Sequence, residues 1–437
     1  MGVGPTLSST ETVCVYGLWH LGCVTAACLA SAGRRVVGLD PDQKVVDGLR
    51  VGQTPVAEPG LAELIQAGQS VGSLAFTNDA PEALRSASIL WVTFDTPVDE
   101  ADHADVAWVR GQLDAVRAHV QPHTLILISS QVPVGFSDEL ARDWTEKCPS
   151  LTFACSPENL RLGRAIEAFT RPDRVIVGCA PDTVRERIQS LFAPFCDRIE
   201  WMSLESAEMT KHAINAFLAA SVVFANELAR ICEQVGADAR DVERGLKSEA
   251  RIGPQAYVAP GAPLAGGTLA RDVAFLRRLS VEHHLDTPLF DAIPRSNRVH
   301  RKWAQARLAE LLEGLTNPRV ALLGLTYKPG TDTLRRSSSI ELADWLVSSG
   351  VEVVAFDPAI AELPAAYAHI SLRSQTDAAL EGADAIVLAT PWPEFASLSA
   401  DTIVARARRA AVVDQGGFVA HLSADQRVNY VRLGLPR

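Results

Sequence analysis

The residues near the start of the chain best suited to chemistry are G-L-W-H-L-G at 17–22, which follow the apolar run E-T-V-C-V-Y-G at 11–17. A strand that ends in glycine and turns into a helix aims backbone N–H groups at one point, where a pyrophosphate can sit. The fingerprint G-x-G-x-x-G uses its first glycine for the turn, its second for close approach of the phosphates and its third for helix packing. Gly17 and Gly22 fill the outer positions, and Trp19 stands at the middle one. A side chain of that size can shift the pyrophosphate or weaken its binding. Asp40 ends the next apolar run, R-R-V-V-G-L-D at 34–40. A carboxylate there takes the adenosine ribose hydroxyls of NAD and disfavours NADP. On these residues alone, a dinucleotide site competes with an α/β domain that has two glycines and a strand-end acid by chance.

A second pair lies further on. Lys211 and Asn215 are one helical turn apart, on one face, in a stretch from 203 that has no Pro or Gly until Gly236. That stretch predicts a long helix with apolar residues on more than one face, of the kind that joins domains or packs against a partner subunit.

Alternating elements must position these groups. Apolar runs at 11–17, 34–40, 87–94, 123–130, 151–155 and 174–178 read as strands. Helical stretches separate several of them, at 18–33 and 103–120. Strand–helix alternation predicts a parallel, doubly wound sheet. A second alternating region has strand candidates at 319–325, 351–358, 383–390 and 410–414, with a helix at 337–349.

Composition narrows the class. The 437 residues are too many for one ordinary core. The net charge of −11 argues against a nucleic-acid surface. The apolar runs are strand-sized, so no membrane association is expected. Eight scattered cysteines, none in C-x-x-C or C-x-H spacing, suggest neither a zinc site nor a disulfide framework, and read as free thiols of a cytoplasmic protein. M-G-V-G-P-T at the start matches an N-myristoylation signal weakly and reads better as a disordered tail.

Six further segments carry a resemblance. These are G-Q-T-P-V-A-E-P-G-L at 52–61, S-S-Q-V-P-V-G at 129–135, S-P-E-N-L-R-L-G at 156–163 with R-P-D-R-V-I-V-G at 171–178, A-E-M-T-K-H-A-I-N-A-F-L-A at 207–219, R-I-G at 251–253 and G-L-T-Y-K-P-G-T-D at 324–332. In this order they resemble the UDP-glucose/GDP-mannose dehydrogenase family over nearly the whole chain. The resemblance implies two Rossmann-like doubly wound parallel-sheet domains of α/β class, joined by a long central helix. Residues 1–200 would bind NAD, 201–300 would form a helical dimerisation domain, and 301–437 would bind a nucleotide sugar.

It also implies roles. Gly17, Trp19, His20, Leu21, Gly22, Asp40, Thr96 and Gln131 would contact the cofactor. Lys211 would stabilise an alkoxide with Asn215 beside it, Asp272 would help activate water, and Glu158 matches the first of two family glutamates. Lys328 and Arg335 would bind the diphosphate and sugar, and Arg251 would reach the neighbouring subunit's site in a homodimer. No metal is implied.

The loss of the cysteine and of the second glutamate concerns one half of the family's reaction, and a further departure at 412–418 concerns the sugar-nucleotide contacts. That reaction is a four-electron oxidation, in which a cysteine thiolate traps the first, aldehyde product. Within P-G-A-P-L-A-G-G-T-L-A-R-D at 260–272 the cysteine position holds Thr268, and no cysteine follows Cys232. Leu162 replaces the second glutamate, Gln131 a threonine, and Arg271 a lysine. V-V-D-Q-G-G-F at 412–418 replaces a D-x-R-N segment. A threonine hydroxyl is almost fully protonated at neutral pH and is a poor nucleophile. The expectation is therefore an NAD-dependent oxidation of a nucleotide-sugar CH–OH that stops after one hydride transfer. A complete 6-dehydrogenase with a substitute mechanism, for which Cys155 is one recruitable thiol, and an inactive binding homologue are the rivals.

Overall fold

A computed structural model describes residues 11–97, 104–158, 160–179, 182–265 and 267–436. The N-terminal tail and its acylation signal lie outside the described residues, as does Gly266 of the Thr268 segment. The chain divides into two compact units, Met1–Ala213 and Ile214–Arg437.

The first unit is built on an eight-stranded sheet. Its strands are β1 (Thr12–Tyr16), β2 (Arg35–Leu39), β3 (Leu74–Thr77), β4 (Ala87–Val92), β5 (Leu125–Ile128), β6 (Thr152–Cys155), β7 (Val175–Cys179) and β8 (Ile199–Met202). They lie in the order β3-β2-β1-β4-β5-β6-β7-β8. β1 pairs with both β2 and β4, so the order reverses there, the place where doubly wound sheets bind ligands. The central strands are mostly apolar, as expected of strands covered on both faces. Pairing is parallel except between β6 and β7, which run antiparallel. The parallel, doubly wound sheet expected from the sequence is present, with this one antiparallel step added. A parallel return needs a full crossover, usually helical. Between β6 and β7 the helix is only Ala165–Thr170, and the rest is the loop that carries Glu158.

The second unit has a six-stranded sheet of β9 (Arg319–Leu323), β10 (Glu352–Phe356), β11 (Ser371–Leu372), β12 (Ala385–Leu388), β13 (Ala411–Asp414) and β14 (Asn429–Arg432). The order is β11-β10-β9-β12-β13-β14, all parallel. Helices Thr268–Glu282 and Pro288–Leu312 precede this sheet in the chain. The architecture is thus α/β, with two Rossmann-like sheets.

The helix Leu204–Val235 starts in the first unit and ends in the second. By length and composition it could cross a membrane, which inspection of uninterrupted apolar runs did not register. Its polar residues are engaged by the fold. Glu208 accepts from Gly135 N and Ser137 N, and His212 meets the Val132 carbonyl. Asn226 bonds the 261–262 backbone, and Glu233 accepts from Trp303 Nε1 and Gly434 N. Buried polar groups satisfied in this way mark a helix that belongs to a packed domain.

Candidate active site

The loop after β1 is shaped by contact. Gly17 has φ +99°, and a Cβ there would meet Phe94 Cδ1 at 2.6 Å. A Cβ on Gly22 would lie 1.9 Å from the Gly17 carbonyl oxygen, so only glycine lets the helix start this close to the strand. Helix His20–Ser31 begins immediately after Trp19, whose side chain does not cap it. An uncapped helix start with packed glycines around it fits a pyrophosphate. Trp19 lies half exposed at that N-terminus (47%).

Asp40 is nearly buried at the end of β2. Its Oδ2 accepts from Leu18 N at 2.7 Å and its Oδ1 from Asp42 N at 2.9 Å. Burial pushes its carboxyl upward, while these backbone donors pull it down. Each oxygen can accept a second bond, so ribose hydroxyls remain compatible with this geometry. His20 meets Glu58 rather than solvent alone, and Leu21 is half-buried in the same turn of helix. Thr96 Oγ1 donates to the Gln131 carbonyl at 2.6 Å, tying the loop after β4 to the loop after β5.

Gln131 lines a small cavity together with Ser130, Cys155, Glu158, Glu208, Lys211 and His212. Lys211 Nζ donates to the Glu158 carbonyl at 2.6 Å and lies 3.4 Å from its Oε1. The Glu158 carboxylate also accepts from Leu160 N at 2.7 Å. The lysine side chain is only 12% exposed, so its charge acts in a water-poor place. Cys155 shares this cavity but is buried, and burial pushes its thiol far above the ordinary range. It is no substitute for a reactive thiolate.

In the second unit, Asn215 Nδ2 donates to Asp272 Oδ2, and both residues are buried. Thr268 is the first residue of helix Thr268–Glu282, one turn before Asp272, and is exposed. The segment before it is clamped. Asn226 Oδ1 accepts from Gly261 N, Asn297 bonds both the N–H and the carbonyl of Leu264, and His300 Nε2 meets the Gly261 carbonyl at 2.8 Å. Burial pushes the His300 imidazole down to about 4, which keeps it neutral at physiological pH.

Lys328 and Arg335 lie in the long loop between β9 and helix Ser338–Ser348. Lys328 Nζ sits 5.5 Å from the Tyr327 ring centre, and Arg335 is exposed. Arg251 is 88% exposed and pairs with Glu249 at 2.9 Å. The structure therefore joins Lys211 with Glu158, Thr96 with Gln131, and Asn215 with Asp272. Thr268 and Arg251 stand at the surface.

Sequence reasoning missed two residues. Glu58 was only a letter in E-P-G-L, and Glu208, which caps helix Phe136–Lys147, was only part of A-E-M-T-K. An acid three residues before Lys211 on an apolar helix was the available signal for Glu208.

Three domain descriptions match the chain in order. They are the NAD binding domain of the UDP-glucose/GDP-mannose dehydrogenase family over residues 11–196, its central domain over 205–299 and its UDP binding domain over 321–421. The chain belongs to the UDP-glucose/GDP-mannose dehydrogenase family. It is therefore an NAD-dependent oxidoreductase of the nucleotide-sugar dehydrogenase kind, acting on CH–OH donors. Within the family it is 34% identical to a UDP-glucose 6-dehydrogenase of Pseudomonas aeruginosa, across 97% of this chain and 98% of that one. A UDP-glucose 6-dehydrogenase of Rhizobium meliloti is 32% identical, with 92% and 94% covered. The structure of a UDP-glucose dehydrogenase from Pyrobaculum islandicum matches all of both chains with a TM-score of 0.87 at 29% identity.

Proposed function

We propose that this family member oxidises one CH–OH group of a nucleotide sugar by a single hydride transfer and releases a carbonyl product. The observation that carries the reading is the thiol inventory around the site. Thr268, which we assign to the nucleophile's position, is exposed at a helix start, and the thiol that lines the Lys211 cavity, Cys155, is buried, which pushes its ionisation upward. Bound NAD supplies the hydride acceptor. Lys211 Nζ, anchored on Glu158, supplies positive charge for a substrate oxygen as its O–H bond is lost. The Asn215 carboxamide is fixed in orientation by Asp272. With no thiolate to add to a carbonyl carbon, a second oxidation lacks its covalent starting point.

Lys328 and Arg335 are assigned to the diphosphate, which suits their charge. UDP-glucose is the first substrate to try, since the C-terminal match is to a UDP binding domain. The enzyme is read as a cytoplasmic homodimer, with residues 201–300 as its dimerisation domain and Arg251 serving the other subunit. Phe217, Phe224, Ile231 and Val235 support this, because all are exposed along one helix at spacings that keep them on neighbouring faces. Mass spectrometry of the product tests the chemistry. A product lighter by two hydrogens supports it; a carboxylate made by the unmodified protein and lost in Thr268→Ala contradicts it.

A further inference from the structure

Glu58 sits between helices Gln43–Arg50 and Leu61–Ser70, and its side chain is 1% exposed. Two segments share its carboxylate through three contacts. Oε2 lies 2.9 Å from His20 Nε2 and accepts from Gly163 N at 2.8 Å, while Oε1 accepts from Ala165 N at 2.8 Å. His20 is the first residue of the helix whose N-terminus fits the pyrophosphate. Gly163 and Ala165 close the loop that starts at Glu158, and Glu158 holds Lys211.

Among the described residues of that loop, Arg161, Gly163 and Arg164 are exposed, Leu160 N donates to the Glu158 carboxylate, Arg164 N to the Arg161 carbonyl and Arg164 Nε to Glu167, and Leu160 packs against the core. Because one oxygen serves both His20 and Gly163, a shift of His20 is felt by the loop directly. Bonds from N–H donors to a buried carboxylate are the strong kind, so this strut is stiff.

We propose that Glu58 is a positioning residue that transmits occupancy of the cofactor loop, through His20, to the loop that holds Lys211. This rests on the reading of residues 17–22 as the NAD loop.

Hydrogen exchange of the full-length protein, with and without NAD, tests it. NAD should slow exchange of the backbone amides of residues 160–165 by about threefold or more in the unmodified protein. In His20→Ala, held at an NAD concentration that calorimetry shows to be saturating for that variant, the slowing should disappear. In Glu58→Gln, these amides should exchange faster without NAD and no longer respond to it. A purely local structural role would speed exchange in Glu58→Gln yet leave the NAD response of His20→Ala intact, and that result overturns the proposal. If NAD binds the unmodified protein and the 160–165 amides do not respond, the proposal alone falls. If calorimetry shows no NAD binding, the cofactor reading falls with it.

Discussion

The two Rossmann-like sheets begin alike and then build the loop after their central strand in opposite ways. Each has a strand ending at a glycine of positive φ, Gly17 and Gly324, and an acid at the end of the neighbouring strand, Asp40 and Asp357. In the first unit the helix starts at His20 with no side chain capping it. In the second, a long loop intervenes and Ser337 caps the helix at Ser339 N. Asp40 holds one N–H of its glycine loop, from Leu18. Asp357 Oδ2 takes Leu325 N, Thr326 N, Thr326 Oγ1 and Trp392 Nε1, and is fully committed to shaping the loop. The same scaffold thus offers backbone N–H groups in one unit and a loop bearing Lys328 and Arg335 in the other. The acid is left able to bind ligand in the first and is structural in the second.

Substitutions can sharpen or break this contrast. The largest effect belongs to neither phosphate device: Lys211→Ala should lower turnover about a hundredfold or more, the range for losing a main electrostatic group, measured by steady-state kinetics. Next, Asp40→Ala should weaken NAD binding about tenfold, as loss of a charged hydrogen-bond acceptor does. Asp357→Ala should leave NAD affinity nearly unchanged in the same titration and lower the melting temperature instead. Equal losses of NAD affinity would erase the distinction between the two acids. Lys328→Ala and Arg335→Ala should each raise KM for the nucleotide sugar about tenfold with little change in kcat. Trp19→Gly should tighten NAD only a few-fold, since the tryptophan is half exposed and can turn aside. Smallest, Ser337→Ala should cost about 1 kcal/mol of stability in denaturant unfolding, the usual worth of a helix N-cap.

Much of this was legible in the sequence, for physical reasons. Strands β1, β2, β4 and β5 are apolar on both faces and stood out as continuous runs. Strands β3, β8, β11 and β14 were not seen. β8, β11 and β14 are only half-buried, so no continuous apolar run marked them. The pairing of Lys211 with Asn215 followed from helical spacing. The partner of each did not, because Glu158 and Asp272 come from distant segments. Asp40 was legible as a strand-end acid, whereas its bonds to Leu18 and Asp42 depend on the turn's backbone. Glu58 was illegible as a strut, since its three donors lie in segments that only folding brings together.

The central claim is that oxidation stops after one hydride transfer because Thr268 cannot replace a thiolate. It is tested most directly by counting NADH against nucleotide sugar consumed, at complete conversion of a limiting amount of UDP-glucose or of whichever nucleotide sugar proves to be the substrate. The account predicts one NADH per sugar, with the ratio unchanged in Thr268→Ala. Two NADH per sugar, falling when Thr268 is replaced by alanine, would contradict it.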